Sequence, residues 1–78
     1  MNKLIKEKID VRSSAIVSVV YCCDQKEMYV MFISGAEYKY KNIEYDVFLG
    51  LKYSDSMGKY FNRVIKDKYD YEVSEYVV

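Results

Sequence analysis

From Ala15 to Cys23 the chain reads "AIVSVVYCC", a run rich in β-branched residues that predicts a strand. It ends at a polar cluster, Asp24, Gln25, Lys26 and Glu27, which predicts a hairpin turn. The next run, "EMYVMFI", comes at once. Side chains alternate along a strand, so Met28, Val30 and Phe32 share one face and Tyr29, Met31 and Ile33 the other. Both sets are apolar, which predicts a strand in the middle of a sheet, covered by helices on one face and by something else on the other. Ser34 and Gly35 predict a second tight turn, with Gly35 free to take positive φ. A third strand is expected from Ala36 to about Ile43: Ala36, Tyr38 and Tyr40 lie on one side, Glu37, Lys39 and Lys41 on a wet side.

After Asn42 the period changes. Ile43, Val47 and Leu51 stand four apart, which predicts a short helix ending near Tyr53. Ser54 and Ser56 can both cap a second helix. In "SMGKYFNRVIKDKY" the residues Met57, Phe61, Val64, Ile65 and Lys68 recur at helical spacing, so this helix lays an apolar stripe on the sheet. Lys59, Arg63 and Lys66 fall at i, i+4 and i+7 and form a cationic stripe beside it. From Tyr69 the alternation returns as Tyr69, Tyr71 and Val73, with Asp70, Glu72 and Glu75 between and beyond; this predicts an extra edge strand, in this chain or in a partner subunit. The expected fold is α+β: a three-stranded antiparallel β-meander followed by two short helices packed on one face, with room for that C-terminal edge strand.

At 78 residues the chain is expected to be a single domain with a thin core. No stretch approaches the ~20 apolar residues a membrane span needs. The basic start, "MNKLIKEKIDVRSS", lacks the apolar run and cleavage site of a signal peptide, so a cytoplasmic location is expected. Twelve basic and twelve acidic residues cancel, which argues against non-specific binding to a phosphate backbone; any nucleic-acid contact must be local. Cys22 and Cys23 are adjacent and read as reduced thiols, because a bridge between neighbours is strained. There is no histidine, so neither a metal site nor a cofactor is expected. Ten tyrosines with no tryptophan, proline or histidine also suit a small reading frame of an AT-rich genome, such as a phage's.

The order "SSAIVSVVY", a hairpin strand ending in "SG", the "YKY" of Tyr38 to Tyr40, and "SMGKYFNRVIKDKY" resembles the KTSC domain family, named for the C-terminus of some lysyl-tRNA synthetases. The likeness runs from about Val11 to Tyr69, within a single domain of residues 1–78 that has N- and C-terminal extensions. The family is similarly short, has a central Tyr-x-Tyr, and ends in a helix with a Ser-x-Gly start and a Phe-Asn pair. The resemblance implies a meander followed by helices, found fused or alone, for which RNA binding has been proposed. This sequence departs from it in "MNKLIKEKID", in the acidic tail and in the apolar "VVYCC".

Two readings are open for Tyr38 and Tyr40. They either fill the core with their hydroxyls at its rim or line a pocket, where an aromatic face stacks on a base for about 1 to 3 kcal/mol. The start of the last helix is equally two-sided. Its free N–H groups, with Gly58 allowing close approach and Lys59 and Arg63 nearby, suit a phosphate; alternatively Ser56 is only a cap and Gly58 a packing residue. Asn62 has poor helix propensity, so it is expected to hydrogen-bond a ligand or a buried loop carbonyl. Ser13 and Ser14 either donate to the same ligand or form a turn.

Catalysis finds little support. No histidine is present to act as general base, and Asp24, Glu27, Asp46 and Asp55 show no spacing that forces two carboxylates together. The expected function is therefore a non-catalytic module that captures a nucleotide-type ligand, in a phage as a sponge for a host nucleotide immune signal. The alternatives are an RNA-binding domain and a protein-interaction or inhibitor module working through an apolar sheet face. That second face also predicts a homo-oligomer.

Overall fold

In a computed structural model of the chain, residues 6–11 and 13–76 are described, the last three of them by their backbone alone. The first five residues of the basic N-terminal stretch, together with Arg12, lie outside the described residues. The strands are β1 (Lys6–Asp10), β2 (Ile16–Cys22), β3 (Glu27–Phe32), β4 (Ala36–Tyr40) and β5 (Tyr71–Tyr76); between β4 and β5 lie α1 (Tyr45–Lys52) and α2 (Met57–Tyr60), which runs into a π-helical turn over Phe61–Ile65. The strands form one antiparallel sheet in the order β1-β2-β3-β4-β5. The meander thus has five strands where the pattern predicted three and an edge, and β3 is the central strand, as its two apolar faces implied.

Local chemistry accounts for the turns. Lys26 takes a left-handed φ of 54° between β2 and β3, and Gly35 a φ of 97° between β3 and β4. The Gly35 N–H donates to the Phe32 carbonyl at 2.9 Å. Asn42, at φ 60°, ends β4 three residues earlier than the alternation suggested; asparagine is among the few residues that tolerate this region. A bulge in β2 between Ile16 and Ser18 leaves Val17 exposed.

Val19, Tyr21, Met28, Val30 and Tyr40 point from the sheet towards the helices and are buried there with Ile43, Phe48, Leu51, Phe61 and Ile65. The Tyr21 hydroxyl donates to the Ile43 carbonyl at 2.6 Å, which satisfies a polar group that burial would otherwise penalise. Tyr60 bridges α1 and α2 by donating to the Val47 carbonyl at 3.0 Å. Its ring lies over Gly50, where an added Cβ would come within 2.7 Å of Tyr60 Cζ and closer still to the hydroxyl.

β1 was not legible as a strand because "KEKID" offers one apolar residue. Its register puts Glu7 opposite Tyr21 and Ile9 opposite Val19, on the helix side. There the Glu7 carboxylate accepts from Tyr45 Oη at 2.8 Å and Lys52 Nζ at 2.6 Å. The face opposite the helices carries Tyr29 and Met31, but Lys39 crosses it with ion pairs to Glu27 and Glu72. Ile33, expected on that face, lies beyond the end of β3, 61% exposed. The apolar surface on which a homo-oligomer was expected is smaller than the alternation implied.

Candidate functional site

The main concavity opens on the helix side of the sheet, between α2 with its π turn, the β1–β2 and β3–β4 turns, and the ends of β4 and β5. Its volume is about 830 Å³, within the roughly 300–1,000 Å³ range of small-molecule clefts. One wall is aromatic. The rings of Tyr38 and Tyr71 stack in parallel, 4.9 Å apart with 5° between their planes. Tyr40 lies 5.2 Å from Tyr71, and Phe32 and Phe61 meet Tyr38 and Tyr40 edge-on. Tyr71 remains 49% exposed although its ring stacks on Tyr38 and lies beside Tyr40, and it lines the cleft.

Tyr40 combines both readings made of it. Its residue is only 2% exposed and its ring belongs to the core, yet it also lines the cleft. Its hydroxyl has no hydrogen-bond partner among the described residues, and no fully buried polar atom is left unsatisfied there; the oxygen therefore reaches the cleft. Burial, and then the neighbouring charges of Tyr71, Tyr38 and Asp67, push this hydroxyl up to about 12. It is a proton-bearing donor at neutral pH.

Ser56, Gly58, Lys59 and Asn62 also line the cleft, as do Ser13 and Ser14 from the β1–β2 turn. Ser13 is committed to that turn: its Oγ accepts from the N–H groups of Ala15 at 3.1 Å and Ile16 at 3.4 Å. A Cβ on Gly58 would stand 3.3 Å from that same oxygen, so close packing on the turn is one reason for a glycine. Ser56 precedes α2 without capping it by its side chain. Instead Ser54 Oγ receives the Ser56 N–H at 3.1 Å and donates to the Ser56 carbonyl at 3.0 Å, a local turn that competes with capping. Asn62 is exposed and makes no bond to a loop carbonyl; its amide is unpartnered among the described residues.

Arg63 lies outside the lining, and Lys66 and Asp67 stand in it. The Lys66 N–H donates at 2.9 Å to the carbonyl of Phe61, five residues back. A π turn takes more residues than an α turn, so positions 59, 63 and 66, which share a stripe at α pitch, separate. Lys59 and Lys66 have no ion-pair partner among the described residues, whereas Lys26, Lys39, Lys41 and Lys52 are all paired elsewhere. Sequence reasoning missed Tyr71, Lys66 and Asp67 as cleft residues; the tyrosine-acid alternation of the tail was the one available signal for Tyr71. Among the described residues no group of three or more histidine, cysteine or acidic side chains is placed to hold a metal, and no helix is long and apolar enough to cross a membrane.

A five-stranded antiparallel sheet carrying helices on one face, with an aromatic and cationic cleft between them, defines a small α+β domain with a recess. The KTSC domain family matches residues 12–69, and the chain belongs to that family. It is 33% identical over 63 residues to an uncharacterized protein of Stutzerimonas stutzeri (strain A1501), covering 81% of this chain and 89% of that one. Its fold is similar to the crystal structure of a KTSC domain protein from Yersinia pestis, with a TM-score of 0.83 and 24% identity over 91% of this chain and 100% of the other.

Proposed function

We propose that the cleft captures a nucleotide-type ligand without turning it over. The observation that carries this reading is the presence in one recess of a half-exposed tyrosine, Tyr71 stacked on Tyr38, and of two lysines with no ion-pair partner among the described residues, Lys59 and Lys66. A base stacks on Tyr71, and the ammonium groups, with the Asn62 amide and the Ser14 and Ser56 hydroxyls, hold phosphate oxygens by charge-assisted bonds. The balanced charge of the chain, twelve basic against twelve acidic residues, favours one or two phosphates over a long polyanion. A terminal nucleotide of a short RNA satisfies the same contacts. In an infected host such a protein works as a stoichiometric sponge for a nucleotide signal, since capture needs no catalytic group.

The test is thermal melting with a panel of nucleotides, cyclic dinucleotides and short RNAs. A ligand at 100 times its Kd adds about 2.7 kcal/mol to stability, a rise of several degrees for a domain of this size. Response to one compound class supports capture and names the class. Flat melting curves across the whole panel overturn it.

A further inference from the structure

A buried tyrosine hydroxyl ordinarily finds a partner, because an unpaired donor away from water is costly. Tyr21, 1% exposed, follows the rule by donating to the Ile43 carbonyl at 2.6 Å. The half-buried Tyr29 and Tyr60 follow it too, giving their protons to the Glu27 carboxylate and the Val47 carbonyl. Tyr40 departs from it. The residue is 2% exposed, and its ring is packed among other rings: Phe61 meets it edge-on at 5.5 Å, Tyr71 lies 5.2 Å away and Tyr38 6.5 Å. Its hydroxyl nevertheless has no hydrogen-bond partner among the described residues. Because Tyr40 also lines the cleft, the single polar atom of its side chain is offered to whatever occupies that space.

Two properties define the group that fits there. A phenol carries one proton and spare lone pairs, and buried donors go unpaired less often than buried acceptors go under-used, so the incoming group must accept. The rings in contact with Tyr40 are all aromatic side chains, which suits the flat part of a nucleotide and not its phosphate. We propose that the Tyr40 hydroxyl is the polar anchor for the base, donating to an in-plane acceptor of the bound nucleotide: a carbonyl oxygen or an unprotonated ring nitrogen. Every common base has such an atom, so this contact fixes how the base is turned in the cleft without choosing among bases. It supplies what stacking on Tyr71 leaves undetermined, since an aromatic face alone accepts a base in any in-plane orientation. The assignment rests on the nucleotide reading above.

Titration calorimetry of the wild type, Tyr40→Phe and Tyr21→Phe tests it, with the 5′-monophosphates of adenosine, guanosine, cytidine and uridine, cyclic di-adenylate and cyclic di-guanylate as probes. Tyr40→Phe keeps the ring and breaks no internal hydrogen bond, so its melting temperature should match the wild type, while its affinity for the tightest-binding probe should fall roughly fivefold, the loss of one neutral hydrogen bond. Tyr21→Phe is the converse control. It strands the Ile43 carbonyl and lies outside the cleft lining, so its melting temperature should fall with affinity unchanged. Ribose 5-phosphate, which has the phosphate and no base, should compete with the probe equally well in the wild type and Tyr40→Phe. Unchanged affinity in Tyr40→Phe, or a loss of the same size in Tyr21→Phe, overturns the anchor while leaving nucleotide capture standing. A loss for ribose 5-phosphate as large as for the probe puts phosphate on the hydroxyl and overturns the assignment to the base. If the wild type binds none of the six probes, the nucleotide reading falls and the anchor with it.

Discussion

Lys26, Lys39, Lys41 and Lys52 are ion-paired, whereas the two lysines of the cleft, Lys59 and Lys66, have no ion-pair partner among the described residues, and this sets what substitutions there should do. Lys59→Ala and Lys66→Ala remove exposed side chains with no partner among the described residues, so melting temperature should stay within the scatter of ordinary surface changes. Ligand affinity should fall by roughly tenfold in each, as expected for one charge-assisted bond, whereas Arg63→Ala, outside the lining, should weaken binding less than Lys66→Ala in the same titration. An Arg63 effect larger than that of Lys66 would move the phosphate to the outer side of the π turn. Tyr71→Ala should lower affinity by about 1 to 3 kcal/mol. Gly50→Ala is a stability experiment instead: the new Cβ meets the Tyr60 ring, Tyr60 must release the Val47 carbonyl, and a urea titration should report a loss of about 1 to 3 kcal/mol. Of the residues read from sequence, Tyr38, Tyr40, Ser13, Ser14, Ser56, Gly58, Lys59 and Asn62 meet around one recess. Lys66 was read only as part of the cationic stripe and Asp67 not at all, because their approach to the cleft depends on helix pitch.

At the scale of elements, β1 is held by a polar clasp on Glu7. Lys52 first, and then Tyr45, lower the Glu7 carboxyl below its ordinary 4.5 through their hydrogen bonds, and Glu7 in turn raises Lys52. A carboxylate whose pKa is depressed by folding stabilises the protein fully above the ordinary carboxylate value and loses that contribution as pH falls through the lower, folded value. Melting temperature recorded from pH 7 to pH 3 should therefore drop more steeply for the wild type than for Glu7→Gln, and the two curves should converge at the acid end. Parallel curves would show that β1 is held by its backbone ladder and Ile9 alone. β5 is tied similarly, with Glu72 lowered by Lys39 and then Lys41. Both edge strands thus depend on charges supplied by other elements, which is why the central hairpins were readable from their own residues while β1 was not. The tail was readable as a strand through its alternation, but its partner, β4, was not.

For the whole molecule, the sheet order follows chain order, so each strand finds its neighbour through a short turn and the helices fall on the one face that Tyr21, Met28, Val30 and Tyr40 make apolar. The amino-acid sequence by itself determined what local rules govern: the Asp24–Lys26 and Ser34–Gly35 turns, the alternation of β2, β3 and β4, the period-four apolar residues of α1, and the resemblance that placed the chain in its family. Tertiary structure alone decided three things. It made "KEKID" a strand, through a carboxylate whose lysine partner stands 45 residues away. It laid Tyr71 on Tyr38, from strands separated by both helices. It turned Lys66 and Asp67 into the cleft by widening the helix at Phe61–Ile65. The physical reason is common to all three: a pattern along the chain records which face of an element is buried, but the pairing of faces and edges from distant elements is set only when the core closes.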